Sequence, residues 1–411
     1  MTTRQTCLDR DVADPLGGVR GRFSLPEGLI YLDGNSLGAL THAAAARVDE
    51  ATGRQWGRDL ISSWNSHGWI GLPQQVGRKI ARLIGAEADE VIAADSVSVN
   101  LFKLAAAAVR AQGPERRAVI IERGDFPTDL YILQGLAEAM PEIDLRVVDP
   151  GRFEAALDDR TAVVLLSHVH YRSGVVRDMA AQSAAVRAAG ALNLWDLSHS
   201  AGVLDVHLNR DGADLAAGCG YKYLNGGPGA PAYLFVARRH QTILRNPLSG
   251  WMGHARPFDF IDDYEPAAGV DRWLCGTPPI LSLTALDAAL DAFDGVDMAQ
   301  ARAKAGALGD LFIERVEARC AAQGLVLVGA RDAAARGGQV SFAHPDGWAV
   351  MQNLIARGVI GDFRRPDVIR FGFAPLYVRH VDVWDAVEIL GEILDSESWR
   401  DARFQTVSAV T

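Results

Sequence analysis

The chain has 411 residues, 49% hydrophobic and 22% charged, with a formal net charge of −10. That length and composition fit an ordinary globular protein of two domains, or of one large domain with an appendage. Acidic and basic residues are mixed along the chain, which argues against a nucleic-acid or membrane-surface partner, and no apolar run approaches the roughly 18 residues of a membrane span. Cys7, Cys219, Cys275 and Cys320 are scattered without a CxxC pair, so neither a zinc site nor a disulfide framework is expected. The start, Met1 to Gln5, leads into no apolar stretch, so no signal peptide is expected and a cytoplasmic location fits.

The first twenty or so residues read as a loose arm. Leu29-Ile30-Tyr31-Leu32-Asp33 reads as a short extended piece, followed by helical patterns over about 41–60 and 74–84. From there β-like runs at about 90–94, 117–122, 144–148, 162–167, 191–195, 214–218 and 231–236 alternate with helical stretches such as 99–111, 128–139 and 178–189. This alternation predicts an α/β domain with a mostly parallel sheet. A stretch dotted with Pro and Gly, about 246–279, reads as a connector with functional loops. Helices over about 280–294 and 298–322, β-like runs at 325–329, 338–343 and 368–373, and a last helix over 380–396 predict a smaller α+β domain. The expected organisation is an N-terminal arm over 1–40, a large domain over 41–279 and a small one over 280–411.

In open α/β sheets, ligands bind beyond the carboxyl ends of the strands. The polar residues just past the β-like runs are therefore the candidate site: Ser98; Phe126, Thr128 and Asp129; Ser167 and His170; Asp196 and His199; Tyr221 and Lys222. Lys222 lies in Gly218-Cys219-Gly220-Tyr221-Lys222-Tyr223-Leu224-Asn225-Gly226-Gly227, where glycines let backbone approach a ligand. An acid at one strand end and a glycine-flanked lysine at a later one point to pyridoxal 5'-phosphate (PLP), held as a Schiff base on Lys222 with Asp196 keeping the pyridine nitrogen protonated. Ser98, opening a helix, suits the phosphate, and Phe126 offers a face for ring stacking. Arg370, within Ile369-Arg370-Phe371, suits a substrate carboxylate. Singly, each has an ordinary structural role open to it: a solvated lysine, a helix cap, a core ring, an ion pair. The joint pattern carries the reading. His168 and His170 lack a third clear ligand, so no metal is expected. Gly34-Asn35-Ser36-Leu37-Gly38 matches the G-x-S-x-G nucleophile elbow but precedes the main sheet, which leaves a serine hydrolase using Ser36 as a remote alternative.

The chain resembles the kynureninases, fold-type I PLP enzymes of the aspartate aminotransferase superfamily, over about residues 30 to 380. The resemblance rests on Tyr31-Leu32-Asp33-Gly34-Asn35-Ser36-Leu37-Gly38, Ser96-Val97-Ser98-Val99-Asn100-Leu101, Phe126-Pro127-Thr128-Asp129, Asp196-Leu197-Ser198-His199-Ser200-Ala201-Gly202, Tyr221-Lys222-Tyr223-Leu224-Asn225, Gly250-Trp251-Met252-Gly253-His254 and Gly276-Thr277-Pro278-Pro279-Ile280. It implies that Val97, Ser98, Ser167 and Tyr221 hold the phosphate and that Phe126 stacks on the ring. It implies a polar cofactor contact for Asp129, a pairing of Asp196 with the ring nitrogen, and His199 close by. Trp251 and Thr277 would reach the cofactor from the other subunit of a homodimer, and Arg370 would take the substrate α-carboxylate. Trp64, Asn35 and Ser36 are expected at the substrate. The implied reaction is hydrolysis of L-kynurenine to anthranilate and L-alanine, as in tryptophan catabolism toward NAD, with Tyr221 a candidate acid and kynurenine favoured over its 3-hydroxy form. A cysteine desulfurase-like lyase or an aminotransferase would share Lys222 and Asp196.

Overall fold

The computed structural model describes residues 2–407. Ahead of the central sheet come α1 (Arg4–Val12), β1 (Ile30–Tyr31), α2 (His42–Glu50), α3 (Ser63–Ser66) and α4 (Leu72–Leu83). The sheet unit then runs β2 (Val91–Ala93), α5 (Val97–Ala111), β3 (Ala118–Glu122), α6 (Pro127–Ala139), β4 (Asp144–Val148), β5 (Thr161–Ser167), α7 (Met179–Ala188), β6 (Leu192–Asp196), β7 (Leu215–Cys219) and β8 (Ala232–Val236). Seven strands lie in the order β2-β8-β7-β6-β5-β3-β4. Only β8 is reversed, antiparallel to both β2 and β7.

Alternate residues of these strands enter different cores. Val163, Leu165, Leu194 and Ala217 pack with Leu101 and Leu104 of α5 and Leu133 of α6. Val164, Leu166, Trp195 and Ala216 face the opposite way, toward Ile80 of α4 and Val186 of α7. Burial on both faces explains why the strands read as nearly continuous apolar runs, and places their polar exits at one rim.

The remaining elements are α8 (Ile280–Leu290), α9 (Met298–Arg319), β9 (Val326–Val328), β10 (Gln339–Ala343), α10 (Gly347–Ala356), β11 (Val359–Ile360), β12 (Asp362–Arg364), β13 (Val368–Gly372) and α11 (His380–Asp395). Strands β12-β13-β10-β9 form an antiparallel sheet, and β1 pairs in parallel with β11. Phe312 of α9 lies 4.6 Å, ring to ring, from Phe371 of β13. Both belong to the core that also holds Trp195 and Leu166, so the small layer shares apolar interior with the large sheet.

Two expectations fail here. The first residues are not a loose arm: α1 is capped by Thr3 and docks on α11, with Cys7 fully buried and Arg4 paired to Asp385 at 2.7 Å. Asp11 in turn accepts from the backbone N–H groups of His380 and Val381, capping α11. The pattern over 41–60 is not one α-helix. After Glu50 it widens into a π-helix, Ala51–Asp59, and stops at Leu60 with φ 50°. Gly53 and Gly57 weaken the α register in that stretch.

Candidate active site

The strand exits converge. One crevice is lined by Ser96, Val97 and Ser98 from the start of α5, Phe126 and Thr128 from α6, Ser167 from β5, Asp196, Ser198 and His199 after β6, and Tyr221 and Lys222 after β7. Each position has a local cause. Ser96 caps α5 through a bond from Val99 N–H, and helix geometry leaves the first-turn N–H groups of Val97 and Ser98 without intrahelical acceptors. Pro127 at the first turn of α6 sets Phe126 at the cap, its ring edge-on to Tyr171 at 5.2 Å. Asp196 ends β6 and folds back in an Asx-turn, its Oδ1 accepting from Ser198 N–H at 2.8 Å and from Ser198 Oγ at 2.6 Å.

The lysine turn is closed by Asn225 N–H on the Lys222 carbonyl at 2.8 Å, with Asn225 at φ 60°. Gly38 packs onto this turn. Its N–H donates to the Tyr221 carbonyl, and a Cβ there would sit 2.2 Å from the Lys222 carbonyl. This close approach accounts for the second glycine of the G-x-S-x-G match. Ser36 itself donates to Asp362 and accepts from Arg370 at 3.1 Å and from Arg364 at 3.4 Å. With a carboxylate and two guanidiniums as its partners it has no imidazole base to activate it, which overturns the serine hydrolase alternative.

Lys222 Nζ lies 2.9 Å from His199 Nε2, 5.6 Å from the Phe126 ring centre and 5.9 Å from that of Tyr221. Burial, then the Lys222 charge, hold the His199 imidazole well below its usual range, so at neutral pH it faces Lys222 Nζ as a neutral ring. Burial raises the Asp196 carboxyl, and it raises Asp129 further because Asp196 is its neighbour. Asp129 accepts from Ser167 Oγ at 3.2 Å, but its Oδ1 has no partner, nor has His199 Nδ1. Burial also pushes the Tyr221 phenol up, not down toward neutrality, so Tyr221 keeps its proton.

Other expected site residues lie outside the crevice lining. Trp251 and Thr277 are exposed on the connector, and Trp251 stacks on Phe260 at 6.4 Å. Trp64 packs edge-on to Trp69 at 5.9 Å. Asn35 is fully buried with no hydrogen bond to its side-chain amide. Arg370 is buried and bound by Asp362, with its Nε 2.7 Å from Oδ1. Tyr171 and Ser198 line the crevice and were not singled out as candidates from the sequence. The Asp-x-Ser spacing of an Asx-turn was the available signal for Ser198; Tyr171 had none.

The crevice suits a phosphorylated pyridine aldehyde: free amides at a helix start, a flat ring face, a buried carboxylate under pressure to gain a cationic partner, and an amine between them. Solved structures share the fold. A cysteine desulfurase from Thermococcus onnurineus superposes with TM-score 0.75 at 19% identity, covering 92% of this chain and 98% of its own. A C-DES mutant with glycine covalently linked to the PLP cofactor superposes with TM-score 0.78 at 18% identity, covering 91% and 99%. The fold is that of the fold-type I PLP-dependent enzymes. A sequence profile of the kynureninase C-terminal domain matches residues 301–390. Proteins named kynureninase from Burkholderia mallei and Pseudomonas fluorescens are 53% and 52% identical, each over the full length of both chains. The chain belongs to the kynureninase family.

Proposed function

We propose that this enzyme binds PLP on Lys222 and hydrolyses L-kynurenine to anthranilate and L-alanine. The observation that carries the reading is Lys222 Nζ, buried between the His199 imidazole at 2.9 Å and the Phe126 ring at 5.6 Å, in a crevice that also holds Asp196. PLP, when bound, supplies an aldehyde that takes an amine and a protonated ring that draws electrons from the substrate Cα.

The protein's own groups do the rest. Val97, Ser98, Ser167 and Tyr221 hold the phosphate, Asp129 makes a polar contact, and Phe126 fixes the ring plane. Asp196, whose carboxyl is disfavoured as an isolated buried anion, gains a cation in the ring nitrogen and keeps it protonated. Lys222, displaced by the substrate amine, takes the Cα proton. Water adds to the γ-carbonyl carbon, its hydroxyl stays with that carbon as the Cβ–Cγ bond breaks, and anthranilate leaves. Tyr221 donates a proton to Cβ and is replenished by the proton the water released, Lys222 gives the Cα proton back to Cα, and alanine departs.

The active unit is a homodimer in this proposal. Trp251 and Thr277, exposed on the connector, reach the cofactor of the other subunit. Phe258 and Phe260, exposed beside Trp251, would be covered in the same contact, and the exposed Leu60 and Ile61 after the π-helix are further apolar groups that a subunit contact could cover. Trp64, Asn35 and Ser36 act at the substrate side, with kynurenine preferred over its 3-hydroxy form. All four cysteines are free, in keeping with a cytoplasmic enzyme, and in this proposal the reaction serves tryptophan catabolism and NAD biosynthesis.

The test is direct. PLP-loaded protein incubated with L-kynurenine releases equimolar anthranilate and alanine. A bound chromophore without products would move the function to another PLP lyase or an aminotransferase. A higher kcat/KM for 3-hydroxykynurenine would reverse the stated preference.

A further inference from the structure

Phe126 gives the crevice its ring face, yet its side chain is 37% exposed and meets Tyr171 only edge-on, at 5.2 Å. Such a contact leaves the tilt of a ring loosely defined, so its position depends on the backbone that carries it. Phe126 cannot cap the helix it opens. Two residues earlier Gly124 turns the chain at φ 91°, and a Cβ there would meet nothing within 4 Å. A glycine turn without neighbours needs a hold from outside.

That hold comes from one hairpin beyond β5. Val169 and Val176 pair across it, His170 N–H donates to the Val175 carbonyl at 2.9 Å, and Gly174 N–H donates back to the His170 carbonyl at 2.8 Å. The small sheet braces the tip: Gln339 Nε2 donates to the Tyr171 carbonyl at 2.8 Å, and Ser341 Oγ to the Arg172 carbonyl at 2.7 Å. From the two legs, His170 and Arg177 reach the segment ahead of Phe126. His170 Nε2 lies 2.8 Å from the Gly124 carbonyl, and its Nδ1 accepts from Ser173 N–H at 3.2 Å. A carbonyl only accepts and a backbone N–H only donates, so Nε2 carries the proton and Nδ1 is bare. Burial lowers the pKa of this imidazole, in agreement with the neutral tautomer. Arg177 Nη2 lies 2.7 Å from Glu122 Oε2 and 3.2 Å from Asp125 Oδ1, and its Nε donates to the Ser167 carbonyl at 3.1 Å. The ladder between β3 and β5 stops at Ile121 and Leu165, and this guanidinium spans the gap beyond it. Burial pushes the Asp125 carboxyl up to about 6 against the pull of the Arg177 charge, so the pair is ionic at neutral pH.

We propose that His170 and Arg177 are positioning residues for the cofactor ring: by gripping Gly124 and Asp125 they set the height and tilt of Phe126. Neither lines the crevice. His170 acts through the Gly124 carbonyl, and Arg177 through Asp125 with a second hold on the Ser167 carbonyl. The brace from the small sheet keeps the hairpin that carries them in one place.

This inference rests on the reading of Phe126 as the face that stacks on PLP, and the experiment separates the two. The dissociation constant for PLP and the circular dichroism of the bound cofactor, which reports how its ring is held, are measured on the full chain. The variants are Phe126→Leu, His170→Phe and Arg177→Met, and each of the last two combined with Phe126→Leu. Phe126→Leu weakens PLP by about three- to tenfold, the scale of a lost aromatic contact. His170→Phe and Arg177→Met each weaken it by about threefold, the scale of a lost hydrogen bond, and both shift the cofactor ellipticity. Combined with Phe126→Leu, His170→Phe costs nothing further, because residues that act through one group do not add. Arg177→Met then keeps only a small remainder, exerted through Ser167. His170→Gln, which retains an N–H at similar reach, stays near wild type, and Arg177→Lys recovers part of the loss and keeps the charge if the methionine variant folds poorly. Full additivity with Phe126→Leu, or wild-type affinity and ellipticity in His170→Phe and Arg177→Met, would overturn the inference and leave the cofactor site standing. Wild-type affinity and ellipticity in Phe126→Leu would overturn the stacking role itself, and this inference with it.

Discussion

The rim of the large sheet and the connector beyond it handle polar and apolar groups in opposite ways. At the rim, Asp196, Asp129, His199 and Lys222 are buried, and two of their atoms, Asp129 Oδ1 and His199 Nδ1, lack partners. On the connector, Trp251, Phe258 and Phe260 are large aromatic groups left 40%, 57% and 76% exposed. Buried polar atoms without partners are costly, and so are apolar rings in water. The first imbalance is relieved by a polar ligand entering the crevice, the second by an apolar surface covering the loop. One chain therefore carries two deficits of different kind, and the proposed holoenzyme dimer removes both.

The largest expected effect is at the rim. In the proposed mechanism Lys222→Ala removes the amine that would carry the cofactor and move the Cα proton, so anthranilate release should fall below detection while some PLP stays bound through its phosphate. Wild-type turnover in that variant would sink the assignment of the site. Asp196→Asn comes next: the ring nitrogen loses its anionic partner, and turnover should drop by about 10²-fold or more, the scale set by removing one preorganised electrostatic group. An unchanged rate would show that another group supports the ring. Trp251→Ala probes the connector. If the two regions meet across a subunit boundary, removing this ring should weaken both dimerisation and PLP binding by about tenfold or more, as for a central aromatic anchor. Sedimentation and a cofactor titration would read the two together, and a loss in one without the other would separate connector from rim.

The rim was readable in the sequence and the arginine cluster was not, for a physical reason. Most strands of the large sheet are apolar runs with polar residues at or shortly beyond their ends, so Ser98, Asp129, Ser167, Asp196 and Lys222 could be read together as exits on one rim. The small sheet brings Asp362, Arg364 and Arg370 together through an antiparallel register of three residue pairs, and a three-residue strand is too short to display alternation. The mate of Arg370 was therefore invisible, and so were β11 and helix α10 nearby. The N-terminal helix was missed because it is mostly polar; only Thr3 as a cap and the buried Cys7 marked it. Trp251 and Thr277 came from family resemblance, since nothing within a single chain brings them to the crevice.

The smallest effect expected at neutral pH tests the buried wall just behind the rim. His168 lies between Ser167 and Val169, which line the crevice, but its own ring turns away and meets Trp195 edge-on at 6.0 Å. Burial depresses its pKa to about 4, and its Nδ1 has no partner. In the unfolded chain the same imidazole titrates near its ordinary value of about 6.5. Between those two pH values the unfolded chain binds a proton that the native state refuses. The contribution is thus fully present above about pH 6.5 and is lost as pH falls toward 4, to the extent of roughly 3 kcal/mol. His168→Gln removes the titrating group but leaves a polar side chain of similar reach. Its unfolding free energy should therefore fall less steeply than that of the wild type as the pH is lowered through this window, whatever the offset at pH 7. Denaturant titrations at closely spaced pH values measure that slope. Parallel curves for the two proteins would mean that His168 takes up its proton in the native state, and that the wall behind the rim admits water.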